Sequence, residues 1–223
     1  MSSKRKVVEQ LIQEFITIYS ILYENNYIIE HRDLSCKCTG DECYDLTWSG
    51  RSSEANITFD TNLEITPIVN TLLKEEQFSL LFYDKSILQV EYKLEKNQIT
   101  KQRLQFIKKS SYIRSIDEIC KLEGEVTEVE GGGWFEEETG IPIFLRVDYD
   151  PVNHRDIEHA KSHFVISNIK DCRIPMKKNL SLTKFVELIL HQVYNDYEMD
   201  LKEIIEHPVE ITDNEQLVMH LNW

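Results

Sequence analysis

Residues 78–107, FSLLFYDKSILQVEYKLEKNQITKQRLQFI, decide the fold of this chain. Three segments within them, 78–84, 86–94 and 99–107, follow one another closely and alternate apolar with polar residues over part of their length. Short polar connections, DK and EKN, separate the segments. Alternation with a period of two, broken by tight polar turns, is typical of antiparallel strands joined as hairpins. The stretch therefore predicts a β-meander.

A long amphipathic helix is predicted ahead of the meander, over residues 3–23. Its apolar residues recur at intervals of three and four, which places them on one stripe of a helix. Asn25 and Asn26 predict its end, because asparagine tolerates the left-handed conformation found at helix exits. Strands at 27–34, 43–50 and 55–61, and then a short helix capped by Thr66 with Pro67 in its first turn, fill the interval before the meander.

Two more strands and a further helix are predicted in the second half of the chain. The apolar runs at 141–150 and 162–168 predict buried strands, and Ser181 is placed to cap a helix over 182–194. Between the meander and these strands, residues 111–122 have helical spacing and then an acidic, glycine-containing loop follows.

The tail predicts a helix through Ile204 and Ile205, a break at Pro208 and a last helix from Asp213. Strands and helices are segregated along the chain rather than alternating. This order predicts the α+β class: an antiparallel sheet packed by the N-terminal amphipathic helix and by C-terminal helices, in a single domain over residues 1–223.

The composition predicts a cytoplasmic protein that folds without a metal or disulfides. A chain of 223 residues buries about 70% of the surface that its unfolded form exposes. Its five cysteines are an odd number and unevenly placed, so a disulfide framework is not expected. No apolar run reaches membrane-spanning length, so no contact with a membrane is expected.

The charge balance disfavours non-specific binding of nucleic acid. The formal net charge is −14, from 25 Lys and Arg against 39 Asp and Glu, and such a chain repels phosphate at long range. A basic partner protein or a local basic site remains compatible with it. One basic island lies at 101–114, although lysines that protect a strand edge explain it as well.

Residues 141–175, IPIFLRVDYDPVNHRDIEHAKSHFVISNIKDCRIP, contain the strongest candidate site. They hold three of the seven histidines, three arginines and four aspartates, gathered where a buried strand opens into a turn. Arg146 and Asp148 stand two apart, so both side chains emerge on one face of the strand. If segment 162–168 pairs with that strand, His163 returns close to both, and we predict one pocket for the three residues.

This constellation predicts metal-independent cleavage of RNA. An imidazole beside a guanidinium can move a proton and stabilise a phosphate oxyanion. The predicted catalytic residues are Arg146, Asp148, His159, His163 and Arg173; the two histidines exchange protons while the two arginines stabilise the phosphorane. The alternative is a structural Arg–Asp pair with histidines at a corner, because structural networks gather the same residue types.

No metal site and no cofactor are assigned from the sequence. His159 and His163, with His154 or an aspartate, have a spacing compatible with a metal, but they lack the paired glutamate of metalloprotease helices. His31 with Cys36, Cys38 and Cys43 fits no standard zinc spacing, so these cysteines are predicted to be free thiols in a loop.

Several phrases together resemble a known family. They are QFSLLFYDKSILQVEYKL at 77–94, QRLQFIKK at 102–109, LRVDYDP at 145–151, SHFVIS at 162–167, CRIP at 172–175 and TKFVELILHQVY at 183–194. In order and content they resemble an uncharacterised prokaryotic family of unknown function, over residues 78–194. The turn glycine that this family tends to have after Asp84 is Lys85 here.

LRVDYD followed by spaced histidines is more distantly similar to small toxins of bacterial toxin–antitoxin modules. That similarity implies a role in phage defence or mobile-element maintenance, carried by Arg146, Asp148 and His163. Two functions therefore stay open. One is a toxin-like effector that cleaves RNA and is held by an antitoxin; the other is a non-enzymatic subunit whose acidic surface and strand edges bind a partner such as a defence ATPase.

Overall fold

A computed structural model describes residues 6–109, 141–167, 172–199, 201, 207–208, 212–218 and 220–221. Within them a nine-stranded antiparallel sheet is flanked by helices, which confirms the predicted α+β class. The sheet strands are β1 (Ile28–His31), β2 (Leu34–Gly40), β3 (Cys43–Trp48), β4 (Leu80–Phe82), β5 (Ile87–Glu95), β6 (Gln98–Lys108), β7 (Ile143–Tyr149), β8 (Ser162–Ile166) and β9 (Ile174–Pro175).

The helices and a small second sheet complete the described structure. The helices are α1 (Lys6–Glu24), α2 (Ile65–Lys74), α3 (Leu182–Val193) and α4 (Asp213–Leu217), with 3-10 helices at Ser53–Phe59 and Pro151–Asn153. Strands β10 (Lys178–Asn179) and β11 (His207–Pro208) pair with each other. Among the described residues no helix has both the length and the apolar character needed to cross a membrane.

The sheet branches at β5. One side of β5 pairs with β6 along its length, as the predicted meander requires. Its other side is shared: β4 pairs with Ile87 and Leu88, whereas β3 pairs with β5 from Glu91 onwards. Strand β1 continues the sheet beyond β4, and β2 continues it beyond β3. Two separate arms of the sheet therefore meet along one strand.

Helices α1 and α3 cover one face of the sheet with the larger apolar core. Phe15 of α1 and Phe185 of α3 are fully buried there. Truncating a buried aromatic of this size to alanine lowers the free energy of unfolding by about 3–5 kcal/mol. The strands contribute alternate residues to this core, as their period of two requires: Leu80, Phe82, Leu88, Val90, Leu104, Phe106, Val147 and Phe164.

Helix α2 covers only one end of the opposite face. Its buried residues Ile68, Val69 and Leu72 pack in a second cluster with strand residues that include Ile87 and Ile107. Beyond that apolar end, the side chains that share this face are polar or charged, because the same alternation continues along the strands. They are Gln89, Glu91, Gln105, Arg103, Arg146, Asp148 and His163.

Residues 55–61 were predicted as a strand, but residues 55–59 belong to the 3-10 helix Ser53–Phe59 and Asp60 caps its end. Ser52 caps this helix by accepting a hydrogen bond from the amide of Glu54 at 3.2 Å. Its buried residues, Ala55 and Thr58, are three apart, which matches the 3-10 period and not that of a strand. Short polar side chains that bond to the local backbone favour such turns over a sheet ladder.

The polar segment predicted as a cysteine-bearing loop is strand β2. It pairs with β3 from Leu34 to Gly40, so Cys36 and Cys38 lie on a strand while Cys43 begins the next one. The prediction of a loop was wrong because β2 is exposed along nearly all its length, and an exposed edge strand lacks the apolar residues that identify buried strands.

Most helix limits agree with the sequence. Asn26 ends α1 with a φ of 61°, and Ser181 caps α3 by accepting a hydrogen bond from Lys184 N at 3.2 Å. Lys85 adopts a φ of 65° in the turn between β4 and β5. The predicted cap at Thr66 is wrong, because α2 begins at Ile65 with Glu64 as its N-cap.

Some predictions concern residues outside the described part of the chain. They are the helix at 111–122, the acidic loop after it and the helix through residues 204–205. The last helix, predicted from Asp213, is present as α4. The single domain over residues 1–223 stays a prediction.

Candidate functional site

A row of charged side chains crosses three neighbouring strands on the face beside α2. Arg103 on β6 lies opposite Asp148 on β7, and Asp148 lies opposite His163 on β8. The Asp148 carboxylate accepts hydrogen bonds from Arg103 Nε at 2.9 Å and from Arg146 Nε at 2.6 Å. His163 Nε2 lies 3.5 Å from the same carboxylate. Arg146, Asp148 and His163 therefore lie close together in a buried network, while the pocket predicted to hold all three stays a prediction.

Asp148 is held as a carboxylate by these neighbours. Burial by itself raises its pKa, since only 6% of the residue is exposed. The hydrogen bond from His163 and the charges of Arg146 and Arg103 outweigh burial and lower the pKa well below its ordinary range. A carboxylate with this pKa stays ionised throughout the physiological range and anchors the two guanidiniums beside it.

Phe59 covers the two arginines. Its ring lies 4.3 Å from the Arg103 guanidinium carbon and 5.5 Å from that of Arg146. The 3-10 helix that replaces the predicted strand thus places an aromatic ring over the ion-pair network. A guanidinium stacked on a ring and paired with a carboxylate is held in one orientation. Arg146 is therefore positioned as part of the network beneath Phe59.

His163 is fixed in orientation by the protein around it. It is only 2% exposed, and its Nδ1 lies 3.0 Å from the Ala160 carbonyl oxygen. A carbonyl can only accept, so Nδ1 carries a proton and donates it. The ring of His159 packs edge-on against that of His163, with 4.8 Å between their centroids. His163 connects the buried row to a histidine nearer the surface.

His159 lines a cavity of about 790 Å³ at the β7–β8 connection. Burial, followed by the charges of His163 and Arg173, lowers its pKa below the ordinary value of 6.5. The imidazole is therefore mainly neutral at neutral pH and can accept a proton. Its Nδ1 is buried, and no described residue gives it a hydrogen-bond partner. The cavity is lined by Val152, Asn153, His154, Arg155, Ile157, Glu158, His159 and Arg173.

His154 brings a second imidazole to the same cavity. Its Nε2 lies 3.1 Å from Oε1 of Glu215, a buried residue of α4. From the sequence His154 belongs to the candidate constellation but is not among the predicted catalytic residues, and Glu215 was not found because it lies 61 positions away. Arg155 was also missed as a cavity residue. The one available signal in the sequence was the position of His154 and Arg155 in the polar turn after β7.

The predicted catalytic residues therefore fall into two connected groups. His159 and Arg173 line the cavity, whereas Arg146, Asp148 and His163 form the buried network beside it. The structure brings the two groups together through the His159–His163 contact. The catalytic roles themselves stay predictions.

Three potential metal ligands also come together beside the cavity. The ligand atoms of His154, Asp156 and Glu215 lie within 4.8 Å of one another. Hydrogen bonds account for their proximity: Asp156 accepts from Thr212 Oγ1 and from Asn214 Nδ2, and Glu215 accepts from Thr212 N at 2.9 Å. These bonds hold α4 against the turn.

The early cysteine set has local contacts of its own. Cys38 Sγ lies 3.2 Å from the Gly40 carbonyl oxygen, and Cys43 Sγ lies 3.4 Å from that of Asp41. His31 stacks on Tyr19 with 4.1 Å between ring centroids. That His31 and these cysteines bind no metal stays a prediction.

Three basic residues of the island at 101–114 are paired with carboxylates. Lys101 pairs with Asp150 at 2.7 Å, and Lys108 pairs with Asp84 at 2.6 Å, while Arg103 pairs with Asp148. A second cavity, lined by Arg51, Glu91, Lys93 and Arg103 among others, contains the Arg51–Glu91 pair at 3.2 Å. The cavity at His159 is the better candidate site, because it places two imidazoles beside a guanidinium.

Comparison with known proteins gives a family without an activity. The family model that matches covers residues 28–223 and is described as an uncharacterized conserved protein. It confirms the resemblance seen in the sequence and extends it beyond residues 78–194 on both sides. No curated protein and no solved structure matches the chain. The similarity to bacterial toxins has no support from these comparisons.

Proposed function

The chain belongs to the DUF2290 family of uncharacterized conserved proteins, and from its geometry we propose that it is a metal-independent ribonuclease that acts as a toxin-like effector. One observation carries the proposal: a neutral imidazole, His159, shares a cavity with Arg173 and a second imidazole, His154. Two imidazoles and a guanidinium are sufficient for acid–base cleavage of RNA without a metal.

The cleavage step assigns a function to each cavity residue. His159 takes the proton from a ribose 2′-hydroxyl, whose oxygen then bonds to the adjacent phosphorus. The bond from phosphorus to the 5′-oxygen breaks, and His154, acting as the general acid, supplies the proton that this oxygen needs. The products are a 2′,3′-cyclic phosphate and a 5′-hydroxyl. Arg173 stabilises the negative charge on the phosphorane oxygens.

The buried network supports His159 from below. Asp148 anchors His163 through the 3.5 Å contact, and His163 packs edge-on against His159. With 2% of its surface exposed, His163 is better suited to positioning His159 than to touching RNA. This assignment modifies the sequence prediction that His159 and His163 exchange protons, because His154 takes the role of the acid in the cavity.

Purified protein incubated with a short RNA oligonucleotide tests the proposal. We expect cleavage that persists in excess chelator and leaves a 2′,3′-cyclic phosphate, detectable by mass spectrometry. His159→Gln should lower the rate at least about 100-fold, the usual contribution of a general base. His191→Gln is the matched control, because His191 stacks on Tyr197 outside the cavity. This variant should cleave RNA at the wild-type rate.

Activity that disappears with chelator and returns with zinc would instead assign the chemistry to a metal. Absence of cleavage on any RNA would remove the enzymatic proposal. Expression of the chain in bacteria adds a cellular readout: a toxin-like effector slows growth, and His159→Gln relieves that effect.

A second candidate, a non-enzymatic binding subunit, is supported by strand β2. Six of its seven residues are exposed, and among the described strands it pairs with β3 alone. An exposed edge strand can accept a strand from a partner protein. The test is co-purification with the product of an adjacent gene. This candidate is favoured over the ribonuclease if that product co-purifies with the wild type and with His159→Gln but not with Thr39→Pro.

A further inference from the structure

A tight loop carries His159 into the cavity. The backbones of Arg155 and His159 are joined by two hydrogen bonds, of 3.0 and 2.8 Å, which close the loop 156–158 between them. At the tip, the Glu158 amide donates to the Asp156 carbonyl at 2.8 Å. A bond between residues two apart defines a γ-turn with Ile157 at its centre.

Ile157 is strained in this turn. Its φ is 66°, and a γ-turn with positive φ is the rarer and less stable form. A β-branched residue is an outlier in this region of backbone space, since its side chain crowds the backbone. The other described non-glycine residues with positive φ are all polar: Asn26, Glu42, Glu76, Lys85, Lys96, Asn97, Ser167 and Asn195.

Packing does not offset the strain. The Ile157 side chain is 52% exposed, and Val152, which lines the same cavity, is 85% exposed. Exposed aliphatic side chains in a strained turn contribute little to folding. Backbone strain that is not offset by packing is typical of residues that contact a ligand.

We propose that Ile157 and Val152 form an apolar platform that contacts a nucleobase of the RNA substrate, and this inference rests on the proposed ribonuclease function. The cavity combines these two aliphatic side chains with Arg173 and His159. A ligand that satisfies both parts has a flat, weakly polar group joined to an anion. A nucleotide has this chemistry, with its phosphate at Arg173 and its base on the platform.

Binding of two ligands by calorimetry separates the platform from the phosphate site. Adenosine 3′-monophosphate has both a base and a phosphate, whereas inorganic phosphate has only the anion. We expect Ile157→Gly and Val152→Ser each to raise the Kd of the nucleotide, by about tenfold for Ile157→Gly, and to leave that of phosphate unchanged. Ile157→Val keeps a β-branched apolar side chain and should raise the Kd of the nucleotide less than Ile157→Gly does.

Lys85→Gly is the matched control for backbone relief. Lys85 has a φ of 65° and lies outside the cavity, so this variant should bind both ligands normally. An unchanged nucleotide Kd in Ile157→Gly and Val152→Ser, or an equal rise for both ligands, would overturn the platform while RNA cleavage by the wild type still supports the ribonuclease. A wild type that binds neither ligand and cleaves no RNA would overturn both.

Discussion

Two buried carboxylates, Asp84 and Asp148, show why ion pairing alone does not mark a functional site. Asp84 is 2% exposed and accepts hydrogen bonds from Lys108 Nζ at 2.6 Å and from the Tyr194 hydroxyl at 3.0 Å. Asp148 is 6% exposed and is bonded to Arg103 and Arg146. By burial and pairing the two are nearly equivalent.

Their surroundings differ. The partners of Asp84 come from the end of β6 and from the residue after α3, and Tyr194 stacks on Phe82 with 5.5 Å between ring centroids. That cluster joins a helix to the sheet and borders neither of the two cavities described. Asp148 instead contacts a histidine whose ring reaches a second histidine in a cavity. The cavity and the neutral imidazole distinguish the candidate site from the structural tie.

Replacing each carboxylate by its amide should give the largest effect. In Asp148→Asn two mostly buried guanidiniums lose their counter-charge, and we expect about 3–5 kcal/mol of lost stability in urea denaturation. Asp84→Asn should cost less, about 1–3 kcal/mol, because Lys108 is 23% exposed and can turn its ammonium group to water. An equal loss in both variants would show that the two carboxylates are equivalent in stability as well.

Acid titration sharpens the same comparison. The folded-state pKa of Asp148 is lowered, so its contribution to stability is complete above the ordinary value of 3.8 and is lost as pH falls below it. The stability gap between the wild type and Asp148→Asn should therefore narrow by about 2 kcal/mol between pH 6 and the most acidic pH at which both fold. A gap that stays constant would mean that folding does not lower the pKa of Asp148.

One substitution in each cluster separates folding from activity. His163→Gln leaves the Ala160 carbonyl or the Asp148 carboxylate without its donor and should cost about 1–3 kcal/mol. Tyr194→Phe removes the hydroxyl that bonds Asp84 and should cost about 1 kcal/mol. Only His163→Gln should slow RNA cleavage when both are assayed in the cold, where they stay folded. Full activity of His163→Gln would remove the positioning role.

The smallest effect should come from relieving strained turns. Glycine adopts positive φ without crowding, so Ile157→Gly beside the cavity should raise stability by about 1 kcal/mol. Lys85→Gly, next to Asp84, should gain less, because an unbranched side chain crowds the backbone less. Thermal midpoints measure both, and a destabilised Ile157→Gly would mean that the isoleucine contributes packing that outweighs its strain.

Local sequence patterns predicted the buried elements of the fold better than the exposed ones. The meander and α1 followed from alternation and helical spacing because each buries a continuous apolar face. Strand β2 and the Ser53–Phe59 helix did not, since the exposed edge strand has no apolar face and the short helix buries only two residues. The periodicity of apolar residues indicates a buried face, so an element exposed at the surface leaves little periodic signal in the sequence.

The site was predictable where it depends on strand geometry. Arg146 and Asp148 share a face by their spacing of two, and the pairing of β7 with β8 brought His163 opposite Asp148. Phe59 and Glu215 could not be predicted, because each arrives from a distant segment through tertiary packing. The difference between a buried histidine and one in a cavity depends on those segments.

The branching of the sheet at β5 has a consequence for the way in which the native protein opens. Strands β2 and β3 are attached to the rest of the sheet through the far half of β5, whereas β1 and β4 use its near half. Strand β2 is exposed along nearly all its length, so detaching it from β3 exposes little of the core and its amides should exchange with deuterium through local opening. Amides of β5, β6 and β7 at the centre should exchange only when the whole molecule unfolds. The edge that a partner strand would join is thus also the part of the sheet that separates most readily.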